Sequence, residues 1–177
     1  MKTTRIHKTL IAAVLGVALA AGANAYADGD DRDHDHGGEN HARYKTVENQ
    51  LYKQECSACH YLYLPGLLPA RSWEALIKGS DKHFGENLAL DEGTSSEILG
   101  FLKANSAEKT NTEWSNKIMK SVGSSTPTRI MDVPWVIKEH REVKDAFKRP
   151  SVGSASNCGA CHTRGHEGDF ETVKVPK

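Results

Sequence analysis

Two short runs of this chain combine thiols with an imidazole at a fixed spacing. Residues 56–60 read "CSACH" and residues 158–162 read "CGACH". The cysteines are Cys56, Cys59, Cys158 and Cys161, and the histidines that follow them are His60 and His162. A C-x-x-C-H run is the attachment signal for c-type haem, because two thiols can add to the two vinyl groups on one porphyrin edge while the next histidine binds the iron.

Three other uses of paired cysteines are possible. Zinc knuckles usually lie about 15 to 20 residues apart, whereas Cys59 and Cys158 are 99 positions apart. A thioredoxin-like redox pair needs a βαβ context, which neither motif has. Two disulfides would suit an exported chain, but they do not require a histidine after both pairs. The sequence therefore predicts two covalently bound haem c groups.

The second axial ligand of each iron decides between electron transfer and catalysis, because an open position can bind oxygen or peroxide. For the second haem, His140 lies on the apolar stripe of a helix that is predicted to start at Pro134. Met119 and Met131 are rival ligands, and a histidine satisfied by hydrogen bonds is the other interpretation of this position. We favour His140.

For the first haem, His83 is the candidate. It is the only histidine between the first motif and His140, and residues 44–107 around it contain no methionine. A surface histidine in a charged turn is the alternative. His166 follows the second motif by four residues, and so short a chain barely reaches the opposite face of a porphyrin. We therefore predict that His166 is an exposed loop histidine.

Residues 1–27 have the form of a secretory signal peptide. Positive residues precede an apolar run from Leu10 to Ala21, and an A-x-A pattern at Ala25 and Ala27 follows. The run is too short to span a membrane; an uncleaved anchor is the alternative. We predict cleavage after Ala27, with Ala25 as the other possible site, which gives an exported, periplasmic protein with no membrane span.

The chain that remains is mildly acidic. The full sequence has 23 basic and 23 acidic residues, and removal of residues 1–27 leaves 20 basic residues against 23 acidic ones. This balance does not support nucleic-acid binding. Residues 28–43 contain many charges and three histidines but no large apolar side chain, which predicts a disordered acidic leader. Binding of a stray metal ion is the alternative for those histidines.

The rest of the chain is predicted to be mostly α-helical, because no segment shows a convincing strand alternation. Tyr44, Val47 and Leu51 are spaced for a helix that runs into the first motif. Ser72 is predicted to cap a second helix, and Thr94 a third through capping-box spacing. This order resembles a small class I cytochrome c over residues 44–107.

Residues 108–177 are predicted to form a second, short, helical and loop-rich haem unit that packs against the first. Its motif lies close to the end of the chain. We therefore expect the wall of the second haem pocket to come from residues that precede the motif. Since this unit is built differently from the first, the two units are not a simple duplication.

Four segments in order resemble the bacterial dihaem cytochrome c family. They read "YLPGLLPARSW", "HFGENLALD", "IKEHREV" and "GSASNCGACH", and the similarity covers nearly all of residues 50–175. The resemblance implies a periplasmic electron-transfer protein with two bis-histidine haems, here His60 with His83 and His162 with His140. It also implies two partners, a small oxygen-binding haem protein of the sphaeroides type and a membrane b-type cytochrome.

We therefore predict an electron carrier rather than an enzyme, with no catalytic residue. The alternatives are a peroxidase-like dihaem enzyme and a gas-sensing haem protein, both of which need one open iron. Histidine in place of methionine lowers the haem potential. The predicted protein is thus a low-potential carrier that donates electrons to an oxygen-binding haem protein.

Overall fold

A computed structural model describes Tyr44 and residues 46–177. Within this part of the chain the regular elements are helices, with one isolated antiparallel bridge between His83 and Glu86. The six α-helices are α1 (Gln50–Cys56), α2 (Ala70–Lys78), α3 (Glu92–Ala104), α4 (Ala107–Thr110), α5 (Glu113–Val122) and α6 (Pro134–His140). Six short 3-10 turns connect them, at Pro65–Leu67, Ser80–Lys82, Ile130–Asp132, Lys144–Lys148, Cys158–Ala160 and Gly165–Glu167. The prediction of a mostly α-helical fold is confirmed.

Helix α1 is shorter than the apolar spacing suggests. It begins after Asn49, whose side chain accepts a hydrogen bond from the backbone N–H of Tyr52. Asparagine is a favoured N-cap, because its side-chain oxygen satisfies an N–H that has no partner within the helix. Tyr44 and Val47 precede the helix, yet both are buried. Their spacing therefore reflects burial in an extended segment, not helix.

Helices α2 and α3 pack against each other, and the N-cap of each lies three residues before the predicted cap. Helix α2 follows Pro69, and Ser72 is a buried residue inside it. Helix α3 is capped by Asp91, which accepts from the backbone N–H of Thr94. Ile98 and Leu102 of α3 are fully buried. Burial of each stabilises the fold by about 1.5–3 kcal/mol.

Helix α5 was not predicted. Thr112 and Ser115 form a reciprocal capping box at its start, and Ile118 and Val122 are buried one helical turn apart. Helix α6 starts at Pro134, as predicted. The stripe through Val136 and His140 stops at the end of α6, and the residues after it form a 3-10 turn instead of further helix.

All described residues belong to one compact unit. One cluster of buried side chains contains residues from Tyr44 to Val136, on both sides of the boundary predicted after residue 107. That division into haem units at 44–107 and 108–177 stays a prediction. The signal peptide at 1–27 and the leader at 28–43 lie outside the described residues. Among the described residues, no helix is long and apolar enough to cross a membrane.

Candidate functional site

The first motif begins at the last residue of α1 and continues into an irregular segment. Cys56 is half-buried at the helix end, and Cys59 and His60 are exposed. His60 Nδ1 lies 2.8 Å from the carbonyl oxygen of Tyr61. An Nδ1–H that donates to a backbone carbonyl leaves the Nε2 lone pair free for a metal, as is usual for metal-binding histidines.

His83 faces His60 across a small gap. The two ring centroids are 6.3 Å apart, and the ring planes differ by 21°. Burial and the neighbouring His60 lower the pKa of His83, which favours the neutral imidazole that can bind a metal. The two rings come from segments more than 20 residues apart, so the fold, and not local sequence, produces this pair.

A strained turn holds His83 in place. The backbone N–H of Glu86 donates to the His83 carbonyl at 3.0 Å. Phe84 adopts a positive φ of 52°, which non-glycine residues rarely adopt. Its ring is covered by the guanidinium group of Arg129 at 4.0 Å, a cation–π contact between two parts of the chain. No local signal in the sequence predicts this contact.

The second motif is wound into a tight turn. The backbone N–H of His162 donates to the carbonyl of Cys158 at 2.8 Å, as does that of Cys161 at 3.2 Å. The chain then returns, and Lys174 donates its backbone N–H to the Cys161 carbonyl at 2.9 Å. Phe170 lies 5.2 Å from the His162 ring. The origin of the pocket wall in residues before the motif stays a prediction, but the short C-terminal segment also folds back over this histidine.

His140, the last residue of α6, faces His162. Their ring centroids are 5.8 Å apart, and the ring planes differ by 72°. His140 Nδ1 lies 2.8 Å from the carbonyl of Val136, one helical turn earlier, so its Nε2 is also free. The pKa of His162 is lowered by burial and by the neighbouring His140, with opposing contributions from the Phe170 backbone and Asp169.

Both histidine pairs have room for one metal ion between them. A metal–imidazole bond is about 2.0–2.1 Å long, and a ring nitrogen lies roughly 1.1 Å from its own ring centroid. Two imidazoles on opposite sides of one metal therefore place their centroids about 6 Å apart. The observed 6.3 Å and 5.8 Å fit this separation. The donor set suits a haem iron with two axial histidines.

The four cysteines fit covalent attachment better than the alternatives. All four thiols are free, so neither pair forms a disulfide. Burial raises the pKa of Cys56 and of Cys158 to about 11 each, whereas a thioredoxin-like pair needs a thiol with a lowered pKa. Within Tyr44 and 46–177, no group of three or more metal-binding side chains comes together. The two pairs are thus not arranged as a zinc site.

A cavity of about 390 Å³ lies beside the first motif. Its lining comes from the two motif regions, namely Cys59, His60, Tyr61, Val152, Gly153, Ser154, Ser156 and Asn157.

The remaining candidate iron ligands, His166, Met119 and Met131, lie outside the two histidine pairs and do not line this cavity. The His166 side chain is 69% exposed and lies 3.6 Å from the Glu167 carboxylate. Met119 and Met131 are half-buried and pack against the hydrophobic core.

Comparison with known proteins agrees with these features. The family model of dihaem cytochrome c matches residues 52–170. The chain is similar to the solved diheme cytochrome c from Rhodobacter sphaeroides, with 37% identity and a TM-score of 0.62 over 70% of this chain and 98% of that one. It is also similar to the diheme cytochrome type c from Shewanella baltica OS155, with 29% identity and a TM-score of 0.59 over 73% of this chain and 94% of that one. A search of curated proteins gave no match.

The family model spans well over half of the chain, and the two attachment motifs lie inside the matched residues. Two covalently bound haem c groups follow from this match. The family supports a role as a haem electron carrier. This chain belongs to the dihaem cytochrome c family.

Proposed function

We propose that this protein is a periplasmic electron carrier whose two haem irons are each bound by two histidines. His60 and His83 would bind the first iron, and His162 and His140 the second. The thioether bonds would come from Cys56 and Cys59 for the first haem and from Cys158 and Cys161 for the second. The observation that carries the proposal is the pair of histidine–histidine distances, 6.3 Å and 5.8 Å, because each fits one iron with both axial positions filled.

Each haem c supplies a one-electron change in the oxidation state of its iron. The protein residues position the axial rings. In His60 and His140, the Nδ1 hydrogen bonds to backbone carbonyls fix the ring orientation and the tautomer. His83 is held by its strained turn, and His162 by its burial among the aromatic rings of Phe170 and His140. A second imidazole at each iron would keep oxygen and peroxide away.

The N-terminal region and the family resemblance support the finer parts of the proposal. Residues 1–27 have the pattern of a cleaved signal peptide, which supports a periplasmic location. Histidine ligands on both irons favour low potentials, so the protein would donate electrons. By resemblance to the family, we propose an oxygen-binding haem protein of the sphaeroides type as acceptor and a membrane b-type cytochrome as a second partner.

Carbon monoxide binding separates a carrier from a peroxidase-like enzyme or a gas sensor. Carbon monoxide binds reduced haem iron only where an axial position is open or weakly held. The reduced wild-type protein at neutral pH should therefore keep its Soret band unchanged under carbon monoxide. Binding at either iron would contradict the closed-site proposal and favour the enzyme or the sensor.

A further inference from the structure

Two tyrosines that the haem sites do not use connect the two motifs. Tyr61 follows His60 directly, and its ring lies against the second motif. A Cβ placed on Gly159, between the two cysteines of that motif, would lie 3.4 Å from the Tyr61 ring. A Cβ placed on Gly165 would lie 2.6 Å from the Tyr61 hydroxyl oxygen, too close for any side chain. Tyr61 therefore reaches from the first motif to the middle of the second motif and to the turn that follows it.

Tyr63 makes a second connection in parallel. Its ring lies 5.2 Å from the His60 ring and 5.8 Å from the Tyr61 ring. Its hydroxyl donates to the carbonyl oxygen of Ser156 at 3.0 Å, two residues before Cys158. One aromatic pair thus touches the proximal histidine of the first haem and is hydrogen-bonded to the segment that leads into the second motif.

The two hydroxyls have different roles. The Tyr63 hydroxyl makes the bond to Ser156, whereas the Tyr61 hydroxyl is buried without a hydrogen-bond partner. An unpaired buried hydroxyl weakens a structure rather than stabilising it. The contribution of Tyr61 at this position is therefore its flat ring, which fills the space against Gly159.

We propose that Tyr61, supported by Tyr63, is a positioning residue that fixes the two haem motifs relative to each other. Its ring fills the space between the motifs, so that an electron exchanges between the two haems of one molecule. In this exchange one electron leaves one iron and enters the other; no bond or proton changes place. The inference rests on the proposed electron-carrier function and assigns its internal route.

The test uses the matured protein with both haems attached. Tyr61→Phe keeps the ring and removes the hydroxyl, and Tyr61→Leu removes the ring. Trp135→Leu is the matched control, because Trp135 is also a half-buried aromatic residue, and its contacts with the Trp114 ring and the Lys117 ammonium group lie outside both motifs. Proton NMR of half-reduced samples reports electron exchange through the broadening of haem methyl resonances, and a redox titration gives the two potentials.

We expect Tyr61→Phe and Trp135→Leu to exchange electrons between haems at the wild-type rate. Tyr61→Leu should slow this exchange several-fold and weaken the dependence of one haem's potential on the oxidation state of the other. Wild-type exchange in Tyr61→Leu, or equal slowing in Tyr61→Phe, would overturn the proposal.

A second variant covers the case in which Tyr61→Leu does not mature. Tyr63→Phe keeps the ring beside His60 and loses only the bond to Ser156. Slower exchange in this variant supports the proposal, and wild-type exchange contradicts it. The two proposals can fail independently. Carbon monoxide binding by the wild-type protein would refute the proposal that both irons have two histidine ligands. The NMR spectra of the variants test separately whether electron exchange depends on Tyr61.

Discussion

Gly168 offers a quantitative test of how the chain closes around the second haem motif. It lies between His162 and Phe170 and has a φ of +83°, which favours glycine. A Cβ at this position would lie within contact distance of the Tyr44 carbonyl oxygen, 2.9 Å from its carbon and 3.1 Å from the Tyr44 nitrogen. The backbone N–H of Tyr44 also donates to the Gly168 carbonyl at 3.3 Å.

The expected cost of Gly168→Ala has two contributions. The left-handed backbone costs a residue with a Cβ about 1–2 kcal/mol. Displacement of Tyr44 also breaks its hydrogen bond to Gly168, which is worth about 0.5–1.5 kcal/mol. We therefore expect the free energy of unfolding of the matured protein to fall by about 1.5–3.5 kcal/mol. Urea denaturation followed by circular dichroism measures this change.

Gly168→Asn separates the two contributions at the same position. Asparagine tolerates the left-handed region better than alanine, yet it has the same Cβ. If the close approach of Tyr44 dominates, both variants should be strongly destabilised. Near wild-type stability of Gly168→Asn, with Gly168→Ala destabilised, would refute the reasoning and leave backbone strain as the only cost.

Further predictions concern the axial ligands and one helix cap. His83→Met should raise one of the two reduction potentials in protein-film voltammetry and leave the other nearly fixed, because methionine ligation raises the potential. His140→Ala should open one iron to carbon monoxide. His166→Ala, at an exposed side chain, should change neither the spectrum nor the potential. The opposite result would make His166 the axial ligand and His140 the histidine that does not bind iron. Hydrogen bonds from Thr94 hold the pKa of Asp91 below its usual value. The ionised cap therefore stabilises the fold at any pH above the unfolded-state pKa of about 3.9. This stabilisation is lost as the pH falls through the lower folded-state pKa. Asp91→Ala should lower the thermal midpoint at neutral pH, and its difference from wild type should shrink below about pH 4; a difference that stays constant with pH would contradict this.

The parts of the site that sequence can predict are those in which chemistry fixes a local spacing. The two C-x-x-C-H motifs can be read directly, because attachment to a porphyrin edge requires adjacent thiols and an adjacent imidazole. Pro134 also predicted the start of α6, since proline suits a first helical position. His83 and His140 could be proposed only because few other ligands were available.

The parts that sequence could not predict depend on contacts between distant segments. Tyr44 and Val47 are buried without being helical, and the Tyr44 ring packs against Trp114 and Phe170 from the later part of the chain. The contact of Arg129 with Phe84 and the fold-back of Phe170 onto His162 have no local signal. Helix α5 is different: its capping box and the spacing of Ile118 and Val122 were visible in the sequence, so it could have been predicted.

The central claim is that both irons lie between two histidines, and electron paramagnetic resonance of the oxidised protein tests it most directly. Two nearly parallel imidazole planes split the energies of the iron d orbitals in the same direction, and the splitting is large. Two nearly perpendicular planes split them in opposite directions, and the splitting is small. The ring planes differ by 21° at His60 and His83 and by 72° at His140 and His162. We therefore predict two low-spin signals, a rhombic one from the first haem and a nearly axial one from the second. A high-spin signal from either haem at neutral pH would contradict the claim.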